Sequence, residues 1–398
     1  MRRSFAFTLV AAILAAAPAS AQKWVKVAST NQSDYLMALA AWDTKNLLMG
    51  GMRMDQGGGA FPTITTVLYQ SQAGGKAAQP ITPVPVVAGS VFPSPIADLA
   101  RVDDTHVWAL IGSAVSRSQG EGHAWLTKAL GKDAAPAKMH MFDANSGIAI
   151  GGSGMAWITT DGWQTFSAED TGSGLDLACM VWLDSLHGLA AGSHTETTQD
   201  QEGNDVSTIT KSGVIATSDG GASWTAKADT GADRVPCPIF MLDGATGWLA
   251  TTEQTAGADH PGPAHLLATT DGGKTFLDNN MDVTVGKGMF GMPVVASYWV
   301  GMFWADAQHG HLVGDAYLGS QRSGSSPTPI YRVVDFLTLD GGATWQKTDL
   351  AATSVGSGQV DSDGRMMAYD MPSLREGHIV GEGGNIFEYQ FKCAADAD

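Results

Sequence analysis

The octapeptide T-T-D-G-W-Q-T-F at 159–166 returns as T-S-D-G-G-A-S-W at 217–224, T-T-D-G-G-K-T-F at 269–276 and T-L-D-G-G-A-T-W at 338–345. Two weaker copies precede these: S-Q-A-G-G-K-A-A at 71–78, which lacks the Asp, and S-Q-G-E-G-H-A-W at 118–125. The chemistry is that of a hairpin turn. Gly accepts positive φ without a Cβ clash, so Asp-Gly is a favoured turn dipeptide. The carboxylate of Asp161, Asp219, Asp271 or Asp340 can accept N–H groups within its own turn. The closing Trp or Phe anchors the strand that follows. These four Asp residues therefore read as structural turn residues.

Upstream of each octapeptide lies a second hairpin, an apolar strand, an Asp turn, a Gly and another apolar strand. Examples are M-F-D143-A-N-S-G147, W-L-D184-S-L-H-G188, M-L-D243-G-A-T-G247 and W-A-D306-A-Q-H-G310. Asp370 with Gly377 forms a copy with a longer turn, and the stretches around Asp43 and Asp103 are degenerate copies, making seven. Each unit holds four short antiparallel strands, A to D, and such units repeated radially are the blades of a β-propeller. The expected class is all-β, with seven blades at 35–88, 95–130, 138–170, 177–228, 236–280, 298–350 and 358–391. The last blade runs out of chain after its third strand. Trp24-Val25-Lys26-Val27 matches the strands that follow the boxes at Trp224 and Trp345, so the N-terminal strand is expected to complete blade 7 and close the ring.

Composition supports this reading. The chain has 398 residues, of which 49 are Gly, about one in eight against a usual share of roughly 7%, as many tight turns require. Net charge is −17, which disfavours nucleic acid and anionic membrane surfaces as partners. Arg2 and Arg3, an apolar run from Phe5 to Ala17 and the A-x-A site at 19–21 read as a signal peptide over 1–21. One propeller domain over 22–391 and a tail over 392–398 follow, in a protein exported to the periplasm or beyond, with no later apolar run long enough to span a bilayer. A monomer is expected.

The motif S/T-x-D-x-G-x-T/S-W/F is the Asp-box, or BNR repeat, of sialidases and related propellers. Combined with the D-x-x-x-G hairpin, the pattern most resembles the photosystem II stability/assembly factor-like propellers, over about residues 23–391. The resemblance implies the fold and, for that family, a basic patch facing a chlorophyll-protein partner. The chain departs from it at Trp163, which replaces the second Gly, and in the first two blades, whose boxes lack the Asp. Its arginines beyond the signal peptide (Arg53, Arg101, Arg117, Arg234, Arg322, Arg332, Arg365 and Arg375) are scattered.

Catalytic residues cannot be assigned from sequence. Tyr331-Arg332-Val333-Val334 is similar to the sialidase F/Y-R-I-P motif but falls where strand C of blade 6 is expected. His187 and His309 occupy equivalent turns of different blades, too far apart for a shared metal. Neither C-x-x-C nor H-E-x-x-H occurs, so no metal or cofactor is expected. Cys179 and Cys237 begin the innermost strands of blades 4 and 5. Both a disulfide between them and two buried free thiols are open readings, with Cys393 unpaired in the tail. Expansions at 52–64, 193–212, 252–264 and 315–329 all fall between strands B and C, on the face opposite the boxes. Binding residues concentrate on such loops. The expected function is a non-catalytic exported propeller that binds a protein or glycan through its B–C and D–A loops. The alternative is a glycoside hydrolase or lyase of sialidase-like architecture, which a convergent Asp/Glu/Tyr/Arg cluster at the channel mouth would favour.

Overall fold

The computed structural model describes residues 22–391 apart from 56–61, 88–92, 104, 120–123, 255–261, 288–292, 324–325, 349 and 351–361. The expected signal peptide, the tail and Cys393 lie outside the described residues, as do the tips of the expansions in blades 1 and 5.

Strand β1 (Gln22–Ser29) opens the chain, and seven antiparallel sheets follow. Blade 1 is β2 (Asp34–Ala41), β3 (Leu47–Asp55), β4 (Thr63–Ser71) and β5 (Ala78–Pro80). Blade 2 is β6 (Ile96–Arg101) through β9 (Trp125–Ala129), and blade 3 is β10 (Pro136–Met141) through β13 (Ser167–Asp170). Blade 4 comprises β14 (Asp176–Trp182), β15 (Gly188–Gln199), β16 (Asp205–Thr217) and β17 (Thr225–Asp229). Blade 5 comprises β18 (Arg234–Met241), β19 (Gly247–Glu253), β20 (Ala264–Thr269) and β21 (Leu277–Asp278). Blade 6 is β23 (Pro293–Trp304), β24 (Gly310–Ser323), β25 (Ser326–Thr338) and β26 (Gln346–Lys347), and its inner edge carries one more short strand, β22 (Thr284–Lys287). That fifth strand, from the D–A connector, was not expected from the repeat. Blade 7 is β27 (Met366–Ser373), β28 (Glu376–Gly381) and β29 (Asn385–Phe391), completed by β1. Pairing runs from Gln22 opposite Phe391 to Ser29 opposite Asn385, the closure expected from Trp24.

Both hairpin motifs have a local physical cause. In the D-x-x-x-G turn, the residue two before the Asp folds over the Gly, and a Cβ there would strike Met141 at Gly147, Trp182 at Gly188 or Trp304 at Gly310. The turn Asp takes backbone N–H groups two and three residues on, as Asp143 does from Asn145 (2.7 Å) and Ser146 (2.8 Å). In the box, the leading hydroxyl ties the loop: Thr217 accepts from Gly221 N (2.9 Å) and donates to Asp219 (2.8 Å). The two hairpins then join, because the first box Gly donates to the A–B turn. Gly162 bonds Asn145 O at 2.7 Å, Gly220 bonds Leu186 O at 3.0 Å and Gly272 bonds Ala245 O at 2.9 Å. Blade 1 keeps this bond (Gly74 N to Lys45 O, 2.8 Å), and Ser71 accepts from Gly75 N at 2.9 Å although Ala73 replaces the Asp.

The apolar core is distributed around the ring. Strand residues alternate between the two faces of each blade, so each blade packs against both neighbours. Among the described residues, the buried hydrophobics fall into seven clusters, one per seam between adjacent blades. The seam of blades 5 and 6 stacks Trp248 on Trp304, with ring centroids 3.6 Å apart. Strand β1 serves two seams, Trp24 lying in that of blades 6 and 7 and Val27 in that of blades 7 and 1.

Candidate functional site: the channel and its armed face

All seven A strands line a central channel of about 720 Å³. Each carries a register irregularity beside strand B, for example between Leu36 and Ala38, Pro136 and Lys138, and Met366 and Ala368. The extra residue turns toward the axis, and Met37, Ala97, Ala137 and Met367 line the channel this way. Opposite the irregularity, five blades place a Gly on strand B (Gly51, Gly151, Gly192, Gly314 and Gly381), where an added Cβ would overlap a carbonyl oxygen of strand A or of the residue just before it. Blade 5 has Thr251 there, and its wider irregularity skips both Cys237 and Pro238.

Amide groups on the free inner edge of the A strands are taken up between blades. Asp98 on β6 accepts from Met139 N of blade 3 (2.9 Å) and from Lys138 Nζ (3.1 Å). Asp315 on β24 accepts from Met366 N of blade 7 (2.8 Å), and Asp370 accepts from Ala41 N of blade 1 (2.8 Å). Asp370 was expected to cap its own A–B turn. It instead sits inside β27, which continues to Ser373 before a tighter turn, and it bridges to the first blade. Asp98, Lys138 and Arg365 lie near the starts of their strands, toward the face that carries the D–A connectors and B–C loops. The Asp98 charge holds the Lys138 ammonium above its ordinary pKa. Arg365 stacks 4.3 Å over the Tyr298 ring. Burial lowers the His140 pKa and pushes Tyr369 up to about 12, and the Tyr369 hydroxyl donates to Met302 O at 3.1 Å.

On the same face two of the four B–C expansions form paired arms. The blade 4 arm is laddered to Gln199 opposite Asp205, and the blade 6 arm to Ser323 opposite Ser326. Each is braced on the connector of the next blade, by Asp233 N to Ile209 O (3.2 Å) and by Asp363 N to Tyr331 O (2.8 Å). The outer part of the blade 4 arm, from Thr195 to Asp205, is exposed and polar. A second groove, of about 770 Å³, lies between blades 2 and 3 beside Lys128, Lys132 and Phe166. It is bounded by two blades, whereas seven strands converge on the channel.

Asp161, Asp219, Asp271 and Asp340 lie on the opposite face, each inside its own turn. Asp219 accepts from Ser223 N (2.9 Å) and Ser223 Oγ (2.6 Å), and Asp271 from Thr275 N (3.0 Å) and Thr275 Oγ1 (2.7 Å). These bonds hold all four carboxyls below their ordinary range, Asp219 and Asp271 down to about 2. His187 and His309 each pair with the Asp of their own turn, at 2.9 and 2.8 Å. His311 is fully buried against Trp24 and Tyr389. Arg332 lies in strand C of blade 6 and pairs with Asp363 at 3.1 Å. Among the described residues, no group of three His, Cys, Asp or Glu side chains is placed to hold a metal ion.

Tyr, Asp and Arg side chains gather at the seam of blades 6 and 7, where Arg365 stacks over Tyr298 within electrostatic range of Tyr331 and Asp315, and again under the rim of blade 1; the sequence reading missed both. Tyr69 OH donates to buried Asp34 at 2.7 Å, and Arg53 binds both partners at 2.7 Å. Burial pushes Tyr69 up to about 12, the wrong direction for a nucleophile.

Asp315 supplies a pH dependence. It is fully buried, and desolvation raises its pKa to about 7. A carboxyl raised on folding contributes stability that is fully present below its unfolded pKa and lost as pH rises through the folded value. The loss approaches about 1.4 kcal/mol per pH unit between roughly pH 4 and 7. Asp315→Asn should therefore improve relative to wild type on going from pH 5 to pH 8. Paired melting curves check this, and a difference in melting temperature independent of pH would contradict it.

No protein-family model matches the chain, and no curated protein matches it. Solved structures do match. One is YCF48 bound to a D1 peptide, at TM-score 0.57 and 13% identity, covering 94% of this chain and 97% of that one. YCF48 from Cyanidioschyzon merolae aligns at TM-score 0.52 and 14% identity over 92% and 98% of the two chains. The GH74 xyloglucanase from Xanthomonas campestris aligns at TM-score 0.56 and 12% identity over 92% of this chain and 53% of that one. At these identities the likeness is one of fold. The chain is a seven-bladed propeller whose architecture is shared by a peptide-bound protein and by a glycoside hydrolase.

Proposed function

We propose that the chain is an exported, non-catalytic, monomeric propeller that binds a segment of a protein partner at the channel mouth, between its B–C arms. The observation that carries the reading is the pair of braced hairpin arms on the face where the polar end of the channel opens. A rigid scaffold presenting ordered loops around a concavity is the usual form of a binding face. The channel's ionisable groups support binding over catalysis. The Asp98 carboxylate is committed to a backbone amide of the neighbouring blade, and the Tyr369 hydroxyl is a donor with a raised pKa. A tyrosine serving as base or nucleophile needs a lowered pKa. The YCF48 structure with a D1 peptide is a precedent for peptide binding by this fold. The reading takes residues 1–21 as an export signal, which supports a partner in the periplasm or outside the cell.

Replacing 198–206 by Asn-Gly joins Thr197 to Ser207 through a two-residue hairpin turn. The shortened protein should melt within about 2 °C of wild type, since an exposed polar arm adds little to stability, and should no longer retain its partner on co-purification. Release of reducing ends from xyloglucan or a sialoside by the purified wild-type protein would favour the glycoside hydrolase reading instead.

A further inference from the structure

The channel contains one pair of groups that the binding reading does not use. Cys179 on β14 and Cys237 on β18 come from neighbouring blades and meet in the seam of blades 4 and 5. The Cys179 thiol points at Pro236 O (3.4 Å), the residue before Cys237, and the Cys237 thiol points at Ala178 O (3.9 Å), the residue before Cys179. Both thiols are free in this structure, and the neighbouring Cys237 adds to the upward push on Cys179. Their environments differ. Cys179 is buried, and that burial pushes its thiol up, so it is a poor nucleophile on its own. Cys237 is partly exposed on the channel wall, within electrostatic range of the Lys138 ammonium.

We propose that Cys179 and Cys237 form a redox couple, with Cys237 as the attacking thiol and Cys179 as the resolving one, closing to a disulfide that clips blade 4 to blade 5. The oxidant is a small or protein disulfide reaching Cys237 through the channel. Cys237 loses its proton, and its sulfur attacks one sulfur of the oxidant, whose S–S bond breaks and expels a thiolate. In the resulting mixed disulfide, Cys179 gives up its proton and attacks the Cys237 sulfur. The second half of the oxidant leaves as a thiolate. Two protein thiols are oxidised to one disulfide, and the oxidant disulfide is reduced to two thiols. The clip joins the innermost strands of the two blades, β14 and β18. The inference depends on the thiols alone and stands whether or not the face binds a protein.

The test uses the protein without its signal peptide, with Cys393→Ser in every form, and glutathione disulfide as the probe. After native incubation and alkylation, a non-reducing peptide map of the form with both channel cysteines should show Cys179 joined to Cys237. Its melting temperature should fall by roughly 5–10 °C on reduction. Cys179→Ala should accumulate a single glutathione adduct at Cys237, whereas Cys237→Ala should leave Cys179 unmodified. Separate Cys179 and Cys237 peptides, both alkylated after incubation, would overturn the pairing. An adduct on Cys179 but none on Cys237 would overturn the assigned order. The map of the two-cysteine form decides the pairing even if a variant fails to fold.

Discussion

Deleting residues 22–29 is expected to lower the melting temperature by about 10 °C or more, or to prevent folding. Strand β1 is the outer strand of blade 7, and its loss uncovers the edge of β29 along its full length. The deletion also removes side chains from two seams. Trp24 packs on Tyr389, with ring centroids 5.2 Å apart, and on His311, while Val27 packs into the seam that joins the last blade to the first. Burial of one Trp side chain contributes several kcal/mol, about 4–5 at 25 cal/mol per Å². A loss of that size alone corresponds to roughly 6 °C for a domain of this length, and the uncovered edge of β29 and the second seam add to it. A closed ring distributes the damage, since no blade retains two intact seams once its neighbour frays. A single melting transition at the wild-type temperature for the truncated protein would contradict the closure.

The second large effect is expected at Gly314. It lies on strand B of blade 6 opposite the irregularity of β23, where the Tyr298 carbonyl oxygen occupies the space a Cβ would need. Backbone rather than a flexible side chain fills that space, so Gly314→Ala must push the two inner strands apart. A cost of about 3 kcal/mol is expected, at the upper end for overpacking. Gly244 is the internal control. It sits in the A–B turn of blade 5 with no heavy atom within 4 Å of a built Cβ, and its φ is not positive, so Gly244→Ala should change stability by less than about 0.5 kcal/mol. Chemical denaturation of both variants separates a steric requirement from a general sensitivity of the glycines. Equal effects at the two positions would contradict it.

The repeat made the ring legible because each of its residues answers a local need. The box hydroxyl and Asp close one turn, the box Gly joins it to the next, and the D-x-x-x-G glycine makes room for Met141, Trp182 or Trp304. The strand-B glycines were visible too, but their reason was not, because it lies in a carbonyl of the neighbouring strand. What escaped the sequence depends on long-range placement. Asp98, Asp315 and Asp370 look alike in one dimension, yet each takes an amide from the next blade around the ring. Asp370 resembled a turn residue until the strand was seen to run past it. The Asp34–Arg53–Tyr69 cluster is spread over three strands with no spacing that announces it. β22 is a four-residue stretch of connector, too short for periodicity to show. Grouping of the expansions on one face was readable from strand order. Pairing into braced arms required the register.

The central claim is that this propeller acts through the face bearing its arms. The most direct measurement is site-specific photocrosslinking in cells of the source organism, with a benzophenone side chain placed at Glu196 on the blade 4 arm or at Lys274 in the blade 5 box. Both positions are exposed, and they lie on opposite faces of the ring. A discrete protein adduct from position 196, absent from position 274, is the expected result. An adduct from position 274 with none from position 196 would contradict the claim.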